Sequence, residues 1–137
     1  MKASVRLKEN LKLTAELKSG HDILMDASES AGGSDSAGRP MEMLLAGLGG
    51  CTGIDVILIL KKMKAEIADF SIDIDAERAD KHPKKFERIH LKYKIKGKNL
   101  DDKKVEKAIH LSENKYCSAS ASLKAEITSS YEIEQTE

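Results

Sequence analysis

Apolar and polar positions alternate along much of the chain, but within residues 40–64 almost every side chain is apolar. Between Met43 and Leu60 the only charged side chain is that of Asp55. A surface helix of this length would carry a polar stripe, whereas a helix that is apolar on all sides has to be buried. The pattern therefore predicts a buried central helix over residues 40–64 that begins at Pro40, a residue type favoured at the first helical position.

The segments on either side have the apolar-polar alternation of half-buried strands. It predicts three short strands within residues 1–26, a loop over the Ser-, Gly- and Ala-rich residues 27–39, and strands with a second helix within residues 65–137. The alternation is clearest in residues 86–96, and Asp101 is a candidate N-cap for the second helix.

Strands and helices are segregated along the chain, and this order favours an α+β fold with antiparallel sheets. A length of 137 residues favours one domain over residues 1–137. A small sheet covers only one side of a helix, so the central helix is predicted to bury its remaining surface against a second copy in a homodimer. Four glycines within seven residues of the central helix predict either a break near Gly49-Gly50 or close approach of another backbone, for which a second copy of the helix is a candidate: Gly47, Gly49, Gly50 and Gly53.

Composition restricts the partners and the compartment. Lys plus Arg and Asp plus Glu are both 23, so the net charge of zero offers no electrostatic attraction to nucleic acid or to an anionic membrane. A membrane-spanning helix is the alternative for the apolar segment, but Asp55 interrupts it and its amphipathic neighbours need a core of their own. With two cysteines and no secretory signal, we expect a cytoplasmic protein in a reducing compartment.

The two cysteines, Cys51 and Cys117, are the candidates for chemistry. Cys51 alone is explained by packing, because a free cysteine behaves as a small hydrophobic residue. Cys117 lies in a polar turn where apolar packing does not require it, so the pair can also act as an attacking and a resolving thiol. The four histidines have no ligand spacing with each other or with the cysteines, and no metal or other cofactor is expected.

Three blocks of the sequence together resemble the OsmC/Ohr family. They are PMEMLLAGLGGCTGIDVILILKKM from Pro40, KHPKKFERIHLKYKIKGKNLD from Lys81, and LSENKYCSASASLKAEITSSYEI from Leu111. The resemblance runs from about Ser19 to the C-terminus, and it is strongest to the branch of OsmC-like proteins with a PMELLL start, a GGCT-DV helix and a KYCS turn. It implies an intertwined, domain-swapped homodimer whose two central helices pack together inside strongly curved antiparallel sheets.

The activity of the OsmC and Ohr branches is thiol-dependent reduction of organic hydroperoxides in oxidative-stress defence. The resemblance implies that Cys51 is the peroxidatic thiol and Cys117 the resolving thiol, with a dithiol or a thioredoxin-like protein as reductant. Apolar side chains near Cys51 would favour organic peroxides over hydrogen peroxide, and the candidates for this lining are Leu44, Leu45, Leu48 and Ile54.

Those branches also use a glutamate directly after the helix-starting proline and an arginine from the N-terminal strands. Here Met41 follows Pro40 and the glutamate is Glu42, one position later, which rotates it by about 100° around the helix. The matching strand region, residues 11–17, contains Lys12 but no arginine, and Arg6 is out of register, so the candidates that remain are Arg6 and Arg39 at other positions. The thiol pair favours a peroxidase. The displaced glutamate and the missing arginine favour the alternative, a relative that binds a small apolar molecule at the dimer seam.

Overall fold

Six strands and three α-helices make up the fold in the computed structural model, which describes residues 1–137. In chain order they are β1 (Ala3–Glu9), β2 (Lys12–Leu17), β3 (Asp22–Met25), α1 (Pro40–Lys62), β4 (Glu66–Arg78), β5 (Phe86–Lys98), α2 (Asp102–Leu111), α3 (Ser118–Ser122) and β6 (Glu126–Gln135). This mixture of two sheets and helices confirms the α+β class. Contacts within the chain define two compact units, residues 1–46 and 47–137, and a single domain stays a prediction.

The first unit contains an antiparallel sheet in the order β1-β2-β3, as the alternation predicts. Asn10 follows β1 with a φ of 49°, and Gly20 precedes β3 with a φ of 88°. Asn and Gly tolerate this left-handed region better than other residues, so they mark the turns. The expectation of a half-buried first strand is wrong for the single chain, because all seven residues of β1 are exposed.

Residues 27–39 form an ordered loop around one buried carboxylate, that of Asp26. It accepts hydrogen bonds from the backbone N–H groups of Ala27 (2.7 Å) and Ser36 (3.1 Å) and from the Ser36 hydroxyl (2.6 Å). These donors, with the Ser36 hydroxyl the strongest, lower the pKa of Asp26 to about 2 against the opposing effect of burial. The polar composition of the loop thus supplies donors that hold it in one conformation.

The second unit contains a sheet in the order β4-β5-β6. The pair β4-β5 is antiparallel, whereas β5 and β6 are parallel, so the prediction of antiparallel sheets is wrong for this pair. Parallel neighbours need a crossover connection, and the segment through α2 and α3 provides it. The alternating sequence of β6 does not itself distinguish the two directions.

The two faces of β5 differ as its alternation predicts. Its polar face carries ion pairs, among them Lys92 to Glu132 and Lys94 to Asp73, both with a nitrogen–oxygen distance of 2.7 Å. These pairs lie in solvent and add little to stability. The opposite face is the core of the second unit, built from Phe86, Ile89, Leu91, Tyr93 and Ile95.

Helix α1 ends at Lys62, two residues before the predicted end, and it is buried on one side only. Its buried residues are Leu48, Thr52, Gly53, Val56 and Leu60. Ile54 is 62% exposed and Leu58 is 53% exposed, so the single chain buries one side of the helix, as expected for a small sheet, and burial of the other side in a dimer stays a prediction. The sheet covers one side of the helix, and α1 stays long and apolar enough to cross a membrane by length and composition.

Two of the four glycines in α1 face the sheet of their own chain. A Cβ atom added to Gly49 would lie 2.7 Å from Cδ1 of Ile74, and one added to Gly53 would lie 3.3 Å from Cε1 of Phe70. These glycines therefore allow α1 to approach β4, so at these two positions the close neighbour is a strand of the same chain and not a second helix. Nothing lies within 4 Å of a Cβ atom built on Gly47 or Gly50, so those two remain available for a partner.

Candidate functional site

The second unit brings together the side chains of Cys51 and Asp55 from α1 and of Cys117 from the segment before α3. The two sulfur atoms and a carboxylate oxygen of Asp55 lie within 4.8 Å of one another. Both cysteines are free thiols. A disulfide has an S–S distance of about 2.05 Å, so closing the bond requires the sulfurs to move together. The two thiols singled out in the sequence are therefore neighbours in space.

Cys117 is positioned by a wide turn at the end of α2. Asp101 caps the start of α2, as predicted, by accepting a hydrogen bond from the N–H of Lys104 at 2.8 Å. The helix then widens into a π-helical turn, Ser112–Tyr116, and the N–H of Cys117 donates to the carbonyl of Ser112 at 2.7 Å. Single π-helical turns occur frequently at functional sites, and this one directs the Cys117 side chain toward α1.

The two thiols differ in exposure. Cys51 is partly exposed, at the boundary between the buried and exposed sides of α1, whereas Cys117 is only 4% exposed. Burial raises the pKa of the Cys117 thiol, a hydrogen bond from Ser120 N–H to its sulfur opposes this, and the neighbouring Cys51 adds to the rise. A reactant from solvent therefore meets the Cys51 thiol before the Cys117 thiol.

A chain of buried hydroxyl groups supports Asp55. The Ser112 hydroxyl donates to Oδ2 of Asp55 at 3.1 Å and lies 2.8 Å from the hydroxyl of Thr52, which lies 2.8 Å from that of Tyr93. All three hydroxyl-bearing residues are at most 1% exposed. This chain of hydroxyls was not predicted from the sequence, although a threonine in an apolar helix and a tyrosine on a core face both need hydrogen-bond partners.

Glu113 lies beyond Tyr93, in the π-helical turn. Its Oε1 atom is buried and has no hydrogen-bond partner. Burial raises the pKa of this carboxyl, while the hydroxyls of Ser129 and Tyr93 oppose the rise. Burial also raises the pKa of Tyr93. Glu113 was not predicted from the sequence, because nothing in its local pattern distinguishes it from a solvated glutamate.

The charged side chains predicted to assist the thiols, those of Arg6, Arg39 and Glu42, form their ion pairs and hydrogen bonds within residues 1–46. Arg6 pairs with Glu16 across β1 and β2 at 3.0 Å, and Arg39 pairs with Asp35 at 2.5 Å. The Glu42 carboxylate accepts the backbone N–H of Arg39 at 2.7 Å, which stabilises the first turn of α1. A role of these three side chains at the thiols stays a prediction.

Of the four apolar residues predicted to line a site near Cys51, three are accessible to a ligand. Leu48 is fully buried in the core, so its side chain is closed to a ligand. Leu45 is partly exposed, Leu44 is 48% exposed and Ile54 is 62% exposed. Apolar surface that a substrate could contact is therefore present on α1.

Comparisons with known proteins point to one family. The family described as OsmC-like protein matches residues 33–132. Protein YhfA of Escherichia coli (strain K12) is 39% identical over 135 residues, which are 97% of this chain and 98% of that protein. The structure of a hypothetical protein from Aquifex aeolicus VF5 is 30% identical, with a TM-score of 0.87 over 99% of this chain and 97% of that one. An organic hydroperoxide resistance protein OsmC from Legionella pneumophila shares the fold, with 13% identity and a TM-score of 0.65 over 98% of this chain and 97% of that one.

Proposed function

The chain belongs to the OsmC-like family, and from that premise we propose that it is a thiol peroxidase that reduces organic hydroperoxides. The observation that carries the proposal is the pair of free thiols, Cys51 and Cys117, with sulfur atoms within 4.8 Å of each other and with unequal exposure. An accessible thiol next to a shielded one is the arrangement that peroxide reduction requires. The fold shared with an organic hydroperoxide resistance protein supports the same assignment.

The first step forms a bond between Cys51 and the distal oxygen of the hydroperoxide. The Cys51 thiolate attacks that oxygen, the O–O bond breaks, and Cys51 becomes a sulfenic acid while the alkoxide takes up a proton as an alcohol. A carboxylate oxygen of Asp55 lies within 4.8 Å of both sulfurs, and in this proposal it accepts the Cys51 proton and returns it to the alkoxide. Ser112 keeps the carboxylate in place through its hydrogen bond.

The second step uses Cys117. Its thiol attacks the sulfenic sulfur of Cys51 and an S–S bond forms. The S–O bond of the sulfenic acid breaks, and the hydroxyl leaves as water with the proton of the Cys117 thiol. A dithiol or a thioredoxin-like protein then reduces the disulfide by two exchange steps and is itself oxidised to a disulfide. Such a cycle fits a protein of the reducing cytoplasm.

A homodimer belongs to the same proposal. Gly47, Gly50, Ile54 and Leu58 recur at helical spacing along the exposed side of α1. An apolar helix side of this kind is normally covered, and in a symmetric dimer the same side of a second copy would cover it. Members of the OsmC-like family are soluble proteins and commonly homodimers, which agrees with a covered helix.

A second candidate function is binding of a small apolar molecule at the dimer seam without peroxide chemistry. The observation that favours it is the engagement of Arg6 with Glu16 and of Arg39 with Asp35, because an ion-paired guanidinium is less available to stabilise a thiolate. Under this alternative the exposed apolar residues of α1 would form the binding surface.

Two variants test the peroxidase assignment. Cys51→Ser is expected to abolish consumption of cumene hydroperoxide in the presence of excess dithiothreitol, because the attacking thiol is lost. With excess peroxide and no added thiol, Cys117→Ser is expected to allow one turnover and then accumulate over-oxidised Cys51, because the sulfenic acid has no resolving thiol. Peroxide loss measured over time and the mass of the Cys51 peptide provide the two readouts. Equal turnover by Cys51→Ser and the unmodified protein would refute the assignment.

A further inference from the structure

We propose that Cys51, Asp55 and Cys117 form a binding site for one thiophilic divalent cation, with Zn²⁺ as the best match. The site uses the same side chains as the proposed peroxidase function. Cation binding goes beyond that function, because it does not depend on the reactivity of the thiols toward peroxide. No local pattern in the sequence indicates this site. Two of the donors are one helical turn apart on α1, while the third comes from a distant segment of the chain.

The distances between the donor atoms are close to those that a small cation requires. The two sulfurs and a carboxylate oxygen lie within 4.8 Å of one another. Zinc binds thiolate sulfur at about 2.3 Å and carboxylate oxygen at about 2.0–2.2 Å, so tetrahedral geometry places donor atoms about 3.3–3.8 Å apart. A shift of about 1 Å in each side chain brings the three donors to these distances.

The charges of the three groups also favour a cation. Two thiolates and a carboxylate at this separation repel one another, so the site holds them only if the thiols are protonated or a positive charge lies between them. A bound Zn²⁺ displaces the two thiol protons to solvent and leaves the carboxylate as a third ligand. The partial exposure of Cys51 gives the ion a route from solvent and leaves a fourth position for water.

The hydroxyl chain behind Asp55 is an independent observation that the carboxylate is held in place. Ser112 donates to Oδ2 of Asp55 at 3.1 Å, which leaves the other oxygen free to bind a cation. Thr52 and Tyr93 fix the Ser112 hydroxyl in turn, and all three are buried. Carboxylates and thiolates that bind metals are usually oriented by such hydrogen bonds, and loss of one typically weakens metal binding by about 10–100-fold.

The experiment uses the full chain, reduced and then freed of reductant under anaerobic conditions. Zn²⁺ is titrated against a chromophoric chelator, and iodoacetamide labelling of each cysteine is followed by mass spectrometry with and without one equivalent of Zn²⁺. The proposal predicts one ion per chain and protection of both Cys51 and Cys117 from alkylation. Alkylation at the same rate with and without Zn²⁺ overturns it, and this result needs no variant to be folded.

Variants test the ligand assignment. Asp55→Asn is expected to weaken Zn²⁺ binding by at least about 10-fold, and Ser112→Ala to weaken it by about 10-fold. Asp80→Asn removes an exposed carboxylate in the loop between β4 and β5 and is expected to bind as the unmodified protein does. Binding by Asp55→Asn with unchanged affinity would overturn the three-ligand site. Peroxide turnover is measured separately with a metal chelator present, so failure of the peroxidase proposal leaves this result unaffected.

Discussion

Glu113 lies in an environment that disfavours the charged form of its carboxyl group. Its carboxyl group is half-buried, one oxygen has no hydrogen-bond partner, and burial raises its pKa. A carboxyl group with a raised pKa in the folded state stabilises the fold while it is protonated. That contribution is present below its unfolded pKa of about 4.3 and is lost as the pH rises through the folded pKa.

Glu113→Gln is therefore expected to be more stable than the unmodified protein at neutral pH. The gain is expected to be below about 1 kcal/mol, since a half-exposed carboxylate is screened by solvent. The difference should shrink toward about pH 4, where Glu113 itself becomes neutral. Urea unfolding at the two pH values measures it. A variant that loses stability at neutral pH would show that the Glu113 charge has a compensating partner.

At the residue scale, the sequence identified both thiols but not their surroundings. Cys117 stands out because it lies in a polar turn, and Asp55 because it interrupts an apolar run. The hydroxyls of Thr52, Tyr93 and Ser112 join only after a helix, a strand and a π-helical turn are packed together. Pairing across such distances along the chain leaves no local pattern, so sequence reasoning could not identify these partners.

Among the elements, α1 carries the accessible thiol, and its two sides have different surroundings. One side of the helix packs on the sheet, with Gly49 and Gly53 allowing close approach to β4. The other side is exposed and apolar, and it includes Ile54 and Leu58. Cys51 lies between these sides, so a partner that covered the exposed side would also form one wall around the accessible thiol.

Ile54→Lys is expected to convert the proposed homodimer into a monomer, because it places a charge at the centre of the covered surface. Size-exclusion chromatography with light scattering gives the mass directly, against a chain mass of 15.1 kDa. Ser71→Lys, on the exposed face of β4, serves as the matched control and should leave the mass unchanged. A dimeric Ile54→Lys protein, or a monomeric unmodified protein, would contradict the proposed interface.

The elements themselves were largely predictable. Alternation located the strands, and Pro40 and Asp101 marked the beginnings of the two longer helices. The parallel direction of β6 was not predictable, because strand direction depends on the crossover that precedes it rather than on the pattern within the strand. The hydrogen bonds within the loop of residues 27–39 were not predictable either, since they depend on the buried carboxylate of Asp26.

For the molecule as a whole, family membership is established, whereas the peroxidase chemistry is a proposal. The OsmC-like match covers most of the chain, and the α+β class was predictable from the order of elements. The burial expected on all sides of α1 is not met within one chain, because a three-stranded sheet has only enough surface for one side. The same shortfall makes a homodimer the natural completion of the fold.

Whether Cys51 and Cys117 form a redox-active pair can be decided by one mass measurement. The reduced protein receives one equivalent of cumene hydroperoxide beside an untreated control, and intact mass and peptide maps are recorded over time. A redox-active pair would lose two hydrogens within seconds, and peptide mapping would locate the change to a Cys51–Cys117 disulfide. Two unmodified thiols after several minutes, or oxidation confined to Cys117, would contradict it.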